Sequence, residues 1–208
     1  MDFPRLHVVT GAHPVAVVTA AVGAAVRLGV PGRLAVQVRV EDDVSDRAAY
    51  ELAVEIIDIC RPAGVMCLVN DRLHIALAVG ADGGHVGADD LSVPAARRVL
   101  GPAAVIGATC RDGDDARAAV AAGATYLGVG PAFPTVTKLG LPAPLGPDRV
   151  GAVARAVPGT PVVGIGGITV ANAGELVRAG THGVAVVGAV ASAPDPGEAV
   201  EQLLKALS

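Results

Sequence analysis

Short apolar runs recur from one end of the chain to the other. Between them lie stretches in which apolar residues fall three or four apart. Runs this short, bounded by Gly, Pro or Asn, predict buried strands at 6–10, 34–40, 65–70, 83–87, 104–109, 126–130, 161–166 and 183–187. The intervening spacing predicts helices, among them 15–26, 114–122, 170–179 and 48–60, the last carrying Leu52, Val54, Ile56, Ile57 and Ile59. Thr169 or Asn172 is the expected N-cap of the 170–179 helix. Ala121-Ala122-Gly123-Ala124 and Arg178-Ala179-Gly180-Thr181 read as one helix-to-strand turn used twice, closed by a left-handed glycine. Eight strands alternating with helices over 208 residues predict an α/β chain folded as one (β/α)8 barrel of TIM type, a single domain over 1–208. The rival is a doubly wound open sheet. Its dinucleotide form needs GxGxxG after the first strand, and Thr10-Gly11-Ala12-His13 does not supply it.

Composition narrows the function. Hydrophobic residues make up 52% of the chain and glycine numbers 27, which suits buried parallel strands rather than disorder. Tryptophan is absent and aromatics are only 2%, so a base-stacking platform is not expected. The net charge of -4 speaks against nucleic acid or an anionic membrane as partner. The three cysteines, Cys60, Cys67 and Cys110, lack CxxC spacing and fit reduced thiols of a cytoplasmic chain. The apolar segment 15–26 follows a region carrying both Asp2 and Arg5, so it reads as a barrel helix, not a leader. No apolar run reaches membrane-spanning length.

In a (β/α)8 barrel the chemistry gathers where strands end. There the sequence places Gln37 and Arg39, two apart and so on one side of a strand, suited to a heterocycle and a phosphate or else to an internal ion pair. Asp71 and Asp90, with Asn70, could hold Mg2+ beside substrate phosphates, or cap a helix and form a solvated turn. Thr109 ends the fifth strand. Thr135, Thr137 and Lys138 follow the sixth, in the loop GPAFPTVTK at 130–138, where hydroxyls and a cation suit anionic oxygens. Gly166-Gly167 and Val187-Gly188 offer backbone N–H groups to a phosphate, or are tight turns. His85 reads as a core or supporting histidine, and His7, His13, His74 and His182 as structural or surface residues. The Pro- and Gly-rich segment 139–148 is a candidate lid.

Taken in order, LVND at 68–71, ADGGHVGADD at 81–90, GPAFPTVTK at 130–138 and VGIGGIT at 163–169 resemble the motifs of the thiamine-phosphate synthase family, nearly over the whole chain. The resemblance implies a Mg2+-dependent transferase that joins hydroxymethylpyrimidine diphosphate to thiazole phosphate and releases pyrophosphate. It implies that Gln37 contacts the pyrimidine and that Arg39, Asn70, Thr109 and Lys138 hold the diphosphate, with Arg39, Thr109 and Lys138 catalytic. It implies further that Asp71 and Asp90 bind Mg2+ and that Thr135, Thr137, Gly167, Val187 and Gly188 hold the thiazole phosphate. The family reaction is dissociative, so it asks for neutralised charge and alignment rather than for a general base. The implied partners are these small molecules, and a homo-oligomer is left open.

Three positions depart from the family pattern. Glu41 stands where a lysine is usual, Thr109 replaces a serine, and the first strand ends Thr10-Gly11 in place of an aspartate. The related thiazole tautomerases use a histidine after strand five. This chain has Thr109-Cys110-Arg111 there, which favours transferase over isomerase. A phosphate-binding relative without catalysis is the third reading.

Overall fold

A computed structural model describes residues 3–135 and 140–208. Eight parallel strands close into a barrel in sequence order. They are β1 (Leu6–Val9), β2 (Leu34–Val38), β3 (Met66–Asn70), β4 (Gly83–Val86), β5 (Val105–Cys110), β6 (Tyr126–Val129), β7 (Val162–Ile165) and β8 (Gly183–Val186). Every predicted run but the fifth contains its strand, and most ends differ by a residue or two. Cys110, expected just after a strand, is the last residue of β5. The helices between them are α1 (Pro14–Arg27), α2 (Asp46–Ala63), α3 (Leu73–Val79), α4 (Val93–Leu100), α5 (Gly113–Ala121), α6 (Gly146–Ala156) and α7 (Ala173–Ala179). The short α8 (Gly188–Ala191) and then α9 (Pro196–Ala206) follow β8.

Strand alternation divides the apolar residues into two cores. Leu6, Val8, Leu34, Val36, Cys67, Val69, Ile106, Leu127, Val162 and Val184 face outward and pack under the helices. Val9, Leu68, Tyr126, Val163 and Ala185 face inward and fill the barrel. Because both faces are covered, the strands read as continuous apolar runs rather than alternating ones.

The helix-to-strand turn expected twice occurs five times among the described residues. Gly123 donates to the Val120 carbonyl and Ala124 to Ala119; Gly180 donates to Val177 and Thr181 to Leu176. The same paired bonds close α1 at Gly29-Val30, α2 at Gly64-Val65 and α3 at Gly80-Ala81. All five glycines have positive φ, where a Cβ would clash with its own carbonyl. At the N-termini, Ser45, Asp112 and Asp195 accept backbone N–H bonds in α2, α5 and α9. The carbonyl of Leu207 accepts from Arg5 Nη1 at 2.7 Å and Arg33 Nη2 at 2.9 Å, tying the end of the chain to the barrel floor.

Among the described residues no helix is long and apolar enough to cross a membrane.

Candidate active site

The interior of the barrel is more polar than strand pattern alone would give. Gln37 is buried and donates through Nε2 to Tyr126 Oη at 3.3 Å. Tyr126 Oη lies 3.0 Å from His85 Nδ1, and His85 Nε2 lies 2.9 Å from Thr109 Oγ1 at the exposed end of β5. Below this chain, the ring of Phe3 packs on His7, Tyr126 and His182 with centroids 5.5, 5.1 and 5.9 Å away. His182 Nε2 is bonded to the Phe3 carbonyl at 2.8 Å. His7 and His182 are thus parts of a plugged floor, and His85 supports Thr109 from beneath.

Burial holds two of these imidazoles neutral. It lowers the pKa of His85 from 6.5 to about 4, opposed by the charge of Asp90. It lowers that of His7 to about 3, helped by the charges of His85 and His182 and opposed by a backbone contact at Pro4. The unfolded chain takes up these protons near pH 6.5 and the folded one only near 4 and 3. Between those values the unfolded state binds more protons, so stability is full above pH 6.5 and falls as the pH drops. Urea unfolding at pH 7 and pH 5 should differ by about 2 kcal/mol for each imidazole. His85→Gln should remove roughly half of the difference, and a flat profile would mean that both rings titrate normally.

Around the mouth, Arg39 follows β2, with its side chain 21% exposed. Its backbone is held by Thr10 Oγ1, which accepts from Arg39 N at 2.8 Å and donates to Arg39 O at 2.7 Å. The guanidinium is paired with Glu41 Oε2 at 3.3 Å. The arginine is therefore paired, but at the rim and with an exposed carboxylate rather than inside the barrel. A cavity of about 510 Å³ brings Arg39, Glu41 and Thr10 together with Val187, Gly188 and Ser192. Among the described residues, the Gly188 N–H meets no backbone acceptor.

Asn70 is the register partner of His85, and Asp71 N donates to the His85 carbonyl at 2.9 Å. Asp71 has φ 58, a left-handed conformation that is uncommon for a residue other than glycine and concentrates at working sites. Asp90 Oδ2 accepts from Gly87 N at 2.7 Å, so part of that carboxylate shapes its own turn. The helix after Asp71 takes Arg72 as its N-cap. Among the described residues no group of three or more His, Cys, Asp or Glu is gathered at metal-binding range.

Loops six and seven form one unit. Ala132 N donates to Ile165 O at 2.7 Å and Phe133 N to Gly166 O at 3.0 Å. A Cβ on Gly167, which has φ +66, would lie 2.3 Å from the Pro134 carbonyl. Asn172 is the residue preceding α7, yet it caps no helical N–H. Its Oδ1 accepts from Thr169 N at 2.8 Å and its Nδ2 donates to Gly167 O at 3.1 Å, holding the glycine turn. Thr135 lies at the end of this unit, half-buried. Thr137 and Lys138, like the start of the expected lid, lie outside the described residues. Past them, Leu145 N and Gly146 N donate to the carbonyls of Pro131 and Ala132, and α6 begins at Gly146, inside the predicted lid segment.

Two arginines escaped the sequence reading. Arg111 donates through Nη1 to Gly130 O at 2.8 Å and through Nη2 to Ala143 O at 2.9 Å, bracing both ends of loop six. Arg72 donates to Asp46 Oδ1 at 3.0 Å and to the Glu41 carbonyl at 3.2 Å, fixing the loop after β2. The signal available was their position one or two residues past a predicted strand end. The second cavity, about 360 Å³ and lined by 157–162 and 180–182, opens at the amino ends of β7 and β8 and contains none of the expected site residues.

Comparison with known proteins bears on the same residues. Residues 6–190 match the family model described as thiamine monophosphate synthase. The thiamine-phosphate synthase of Salinispora arenicola is 54% identical, over 98% of this chain and 97% of its own. That of Chloroflexus aurantiacus is 44% identical, over 96% and 90%. The solved thiamine phosphate pyrophosphorylase of Pyrococcus furiosus superposes with a TM-score of 0.85 at 32% identity, covering 98% of this chain and 95% of its own. Identity this high over the full barrel, with the strand-end motifs in place, leaves one conclusion: the chain belongs to the thiamine monophosphate synthase family.

Proposed function

We propose that this barrel is a thiamine-phosphate synthase, a transferase that couples hydroxymethylpyrimidine diphosphate to thiazole phosphate with release of pyrophosphate. The observation that carries it is the rim itself. The ends of β2, β3 and β5 present Arg39, Asn70, Asp71 and Thr109, while the described groups offer no activated nucleophile and His85 is held neutral. A site of cations, hydroxyls and oxygen donors suits a reaction whose main demand is charge on a departing diphosphate. In this reading Arg39, Asn70 and Thr109 bind the diphosphate together with Lys138, and Gln37 orients the pyrimidine. Gly167, Val187 and Gly188, with Thr135 and Thr137, bind the thiazole phosphate. Alignment of the two substrates across the mouth supplies most of the remaining acceleration.

The oxygen donors fit Mg2+. That ion needs only one or two carboxylates, keeps several waters and shares phosphate oxygens, so a three-residue protein cage is not required. Asp71 and Asp90 would hold it, and when bound it neutralises charge on the diphosphate. Asp71→Asn and Asp90→Asn should each raise the Mg2+ concentration giving half-maximal rate by about tenfold, the effect expected when one charged ligand contact is weakened. Metal titrations that superpose on the wild type would remove both from the ion.

The isomerase reading loses ground in the loop after β5. Cys110 is buried, with its thiol pushed up to about 11 by burial, and Arg111 is spent on two carbonyls. The deciding assay supplies both substrates with Mg2+ and measures pyrophosphate and thiamine phosphate. Equal yields of the two products are expected. Tight substrate binding without turnover would instead identify a binding protein on the same scaffold.

A further inference from the structure

The hydrogen-bond chain inside the barrel has a direction, and the functional reading gives its two middle members, Tyr126 and His85, no task. We infer that Tyr126 and His85 are positioning residues that turn the Thr109 hydroxyl into a donor aimed at the mouth. The identity of the anion it meets rests on the proposed function; the direction of the bonds does not.

The direction starts at Gln37. Its amide nitrogen faces Tyr126 Oη and can only donate, so the phenol oxygen is the acceptor there. The phenol then has one hydrogen to give, and His85 Nδ1 stands 3.0 Å away. A ring nitrogen that accepts carries no hydrogen, so an imidazole with one bare nitrogen bears its N–H on the other. With Nδ1 accepting, that hydrogen is on Nε2, which donates to Thr109 Oγ1 at 2.9 Å. Thr109 therefore spends a lone pair inward, and its own hydrogen is left for a ligand oxygen at the exposed strand end. Were the chain reversed, His85 Nε2 would consume that hydrogen. Thr109 would then show only lone pairs to an anion, which repels it.

The sequence leaves room for this chain at two glycines. A Cβ on Gly107 would fall 2.2 Å from Tyr126 Cζ and 2.3 Å from His85 Nδ1, and one on Gly128 would fall 2.9 Å from His85 Cε1.

Two measurements test the inference. Long-range 1H–15N spectra of the full chain with labelled histidine should show His85 as the Nε2–H tautomer near pH 7. Calorimetry with inorganic pyrophosphate and Mg2+ reads the consequence. Thr109→Val should weaken binding about 10- to 30-fold and His85→Phe about 5-fold, magnitudes typical of a hydrogen bond to a charged group. In the double variant the His85 effect should vanish, because it acts only through the hydroxyl. A purely structural histidine would give additive losses, which would overturn the inference, as would an Nδ1–H tautomer. Should His85→Phe fail to fold, Tyr126→Phe replaces it, with the single tautomer lost and binding about 3-fold weaker on the same scale; an unchanged tautomer and affinity would sink the inference. Wild-type protein that shows the Nε2–H tautomer yet binds no pyrophosphate would overturn the functional reading and uphold the bond direction.

Discussion

Gly107→Ala is expected to cost about 3 kcal/mol of stability, the upper part of the range for overpacking a filled core. Gly107 sits on the inner face of β5, with His85 of β4 as its register partner on one side and Tyr126 of β6 on the other. The added methyl would meet Tyr126 Cζ at 2.2 Å, His85 Nδ1 at 2.3 Å and Tyr126 Cε1 at 2.4 Å. Neither ring can retreat far, since Tyr126 stacks against Phe3 and His7 on the floor side. For a chain of this size the loss should lower the melting temperature by roughly 6–12 °C. It should also break the path from Gln37 to Thr109, so pyrophosphate affinity should fall along with stability. Gly32→Ala is the control. No atom lies within 4 Å of its added Cβ and its φ is not positive, so thermal melting should hardly move. Equal melting temperatures for the two variants would mean that the interior rings have slack that these contact distances do not suggest.

Gly107 also marks the boundary of what the sequence makes legible. Local pattern located the described strands, because most contain a run of Val, Leu and Ile buried on both faces that needs no partner to be recognised; β4, Gly-Gly-His-Val, is not such a run. It also gave Gln37 and Arg39 a common side, since that follows from a period of two. The partner of a strand residue, however, depends on the stagger between strands, which no local window contains. Gly107 reads as an ordinary small strand residue until the register sets it between two rings. His7 and His182, read as structural or surface, turn out to floor the barrel with Phe3 for the same reason. Asn172 was legible as a helix-start residue, but its side chain reaches back to the Gly167 turn, a tertiary choice that outweighs the cap. Arg111 and Arg72 stand past strand ends just as Arg39 and Asp71 do. Their backbone-carbonyl partners leave no signature in the sequence at all.

Arg39→Ala should lower kcat/KM by about 10²–10³, as for one preorganised charge removed from a developing anion. The more informative variant is Glu41→Gln. Glu41 is 72% exposed and holds the Arg39 guanidinium at 3.3 Å, so in the free protein the rim cation is already partly answered. An exposed pair of this kind is worth about 0–1 kcal/mol. Releasing it should therefore lower the KM for the pyrimidine diphosphate by up to about fivefold while kcat stays level. Glu41→Lys removes the same partner and adds a cation beside the leaving group, so its gain should be larger. Added salt should shrink both gains, since the competing charges sit in water. The pairing also predicts a strict dependence: in an Arg39→Ala background, Glu41→Gln should change nothing, because its only route to the substrate is through the arginine. An undiminished gain in that background would mean that Glu41 repels the diphosphate directly. Kinetics of the wild type, Arg39→Ala, Glu41→Gln and the double variant at two ionic strengths separate the cases, and they do so whether or not either variant improves the enzyme overall.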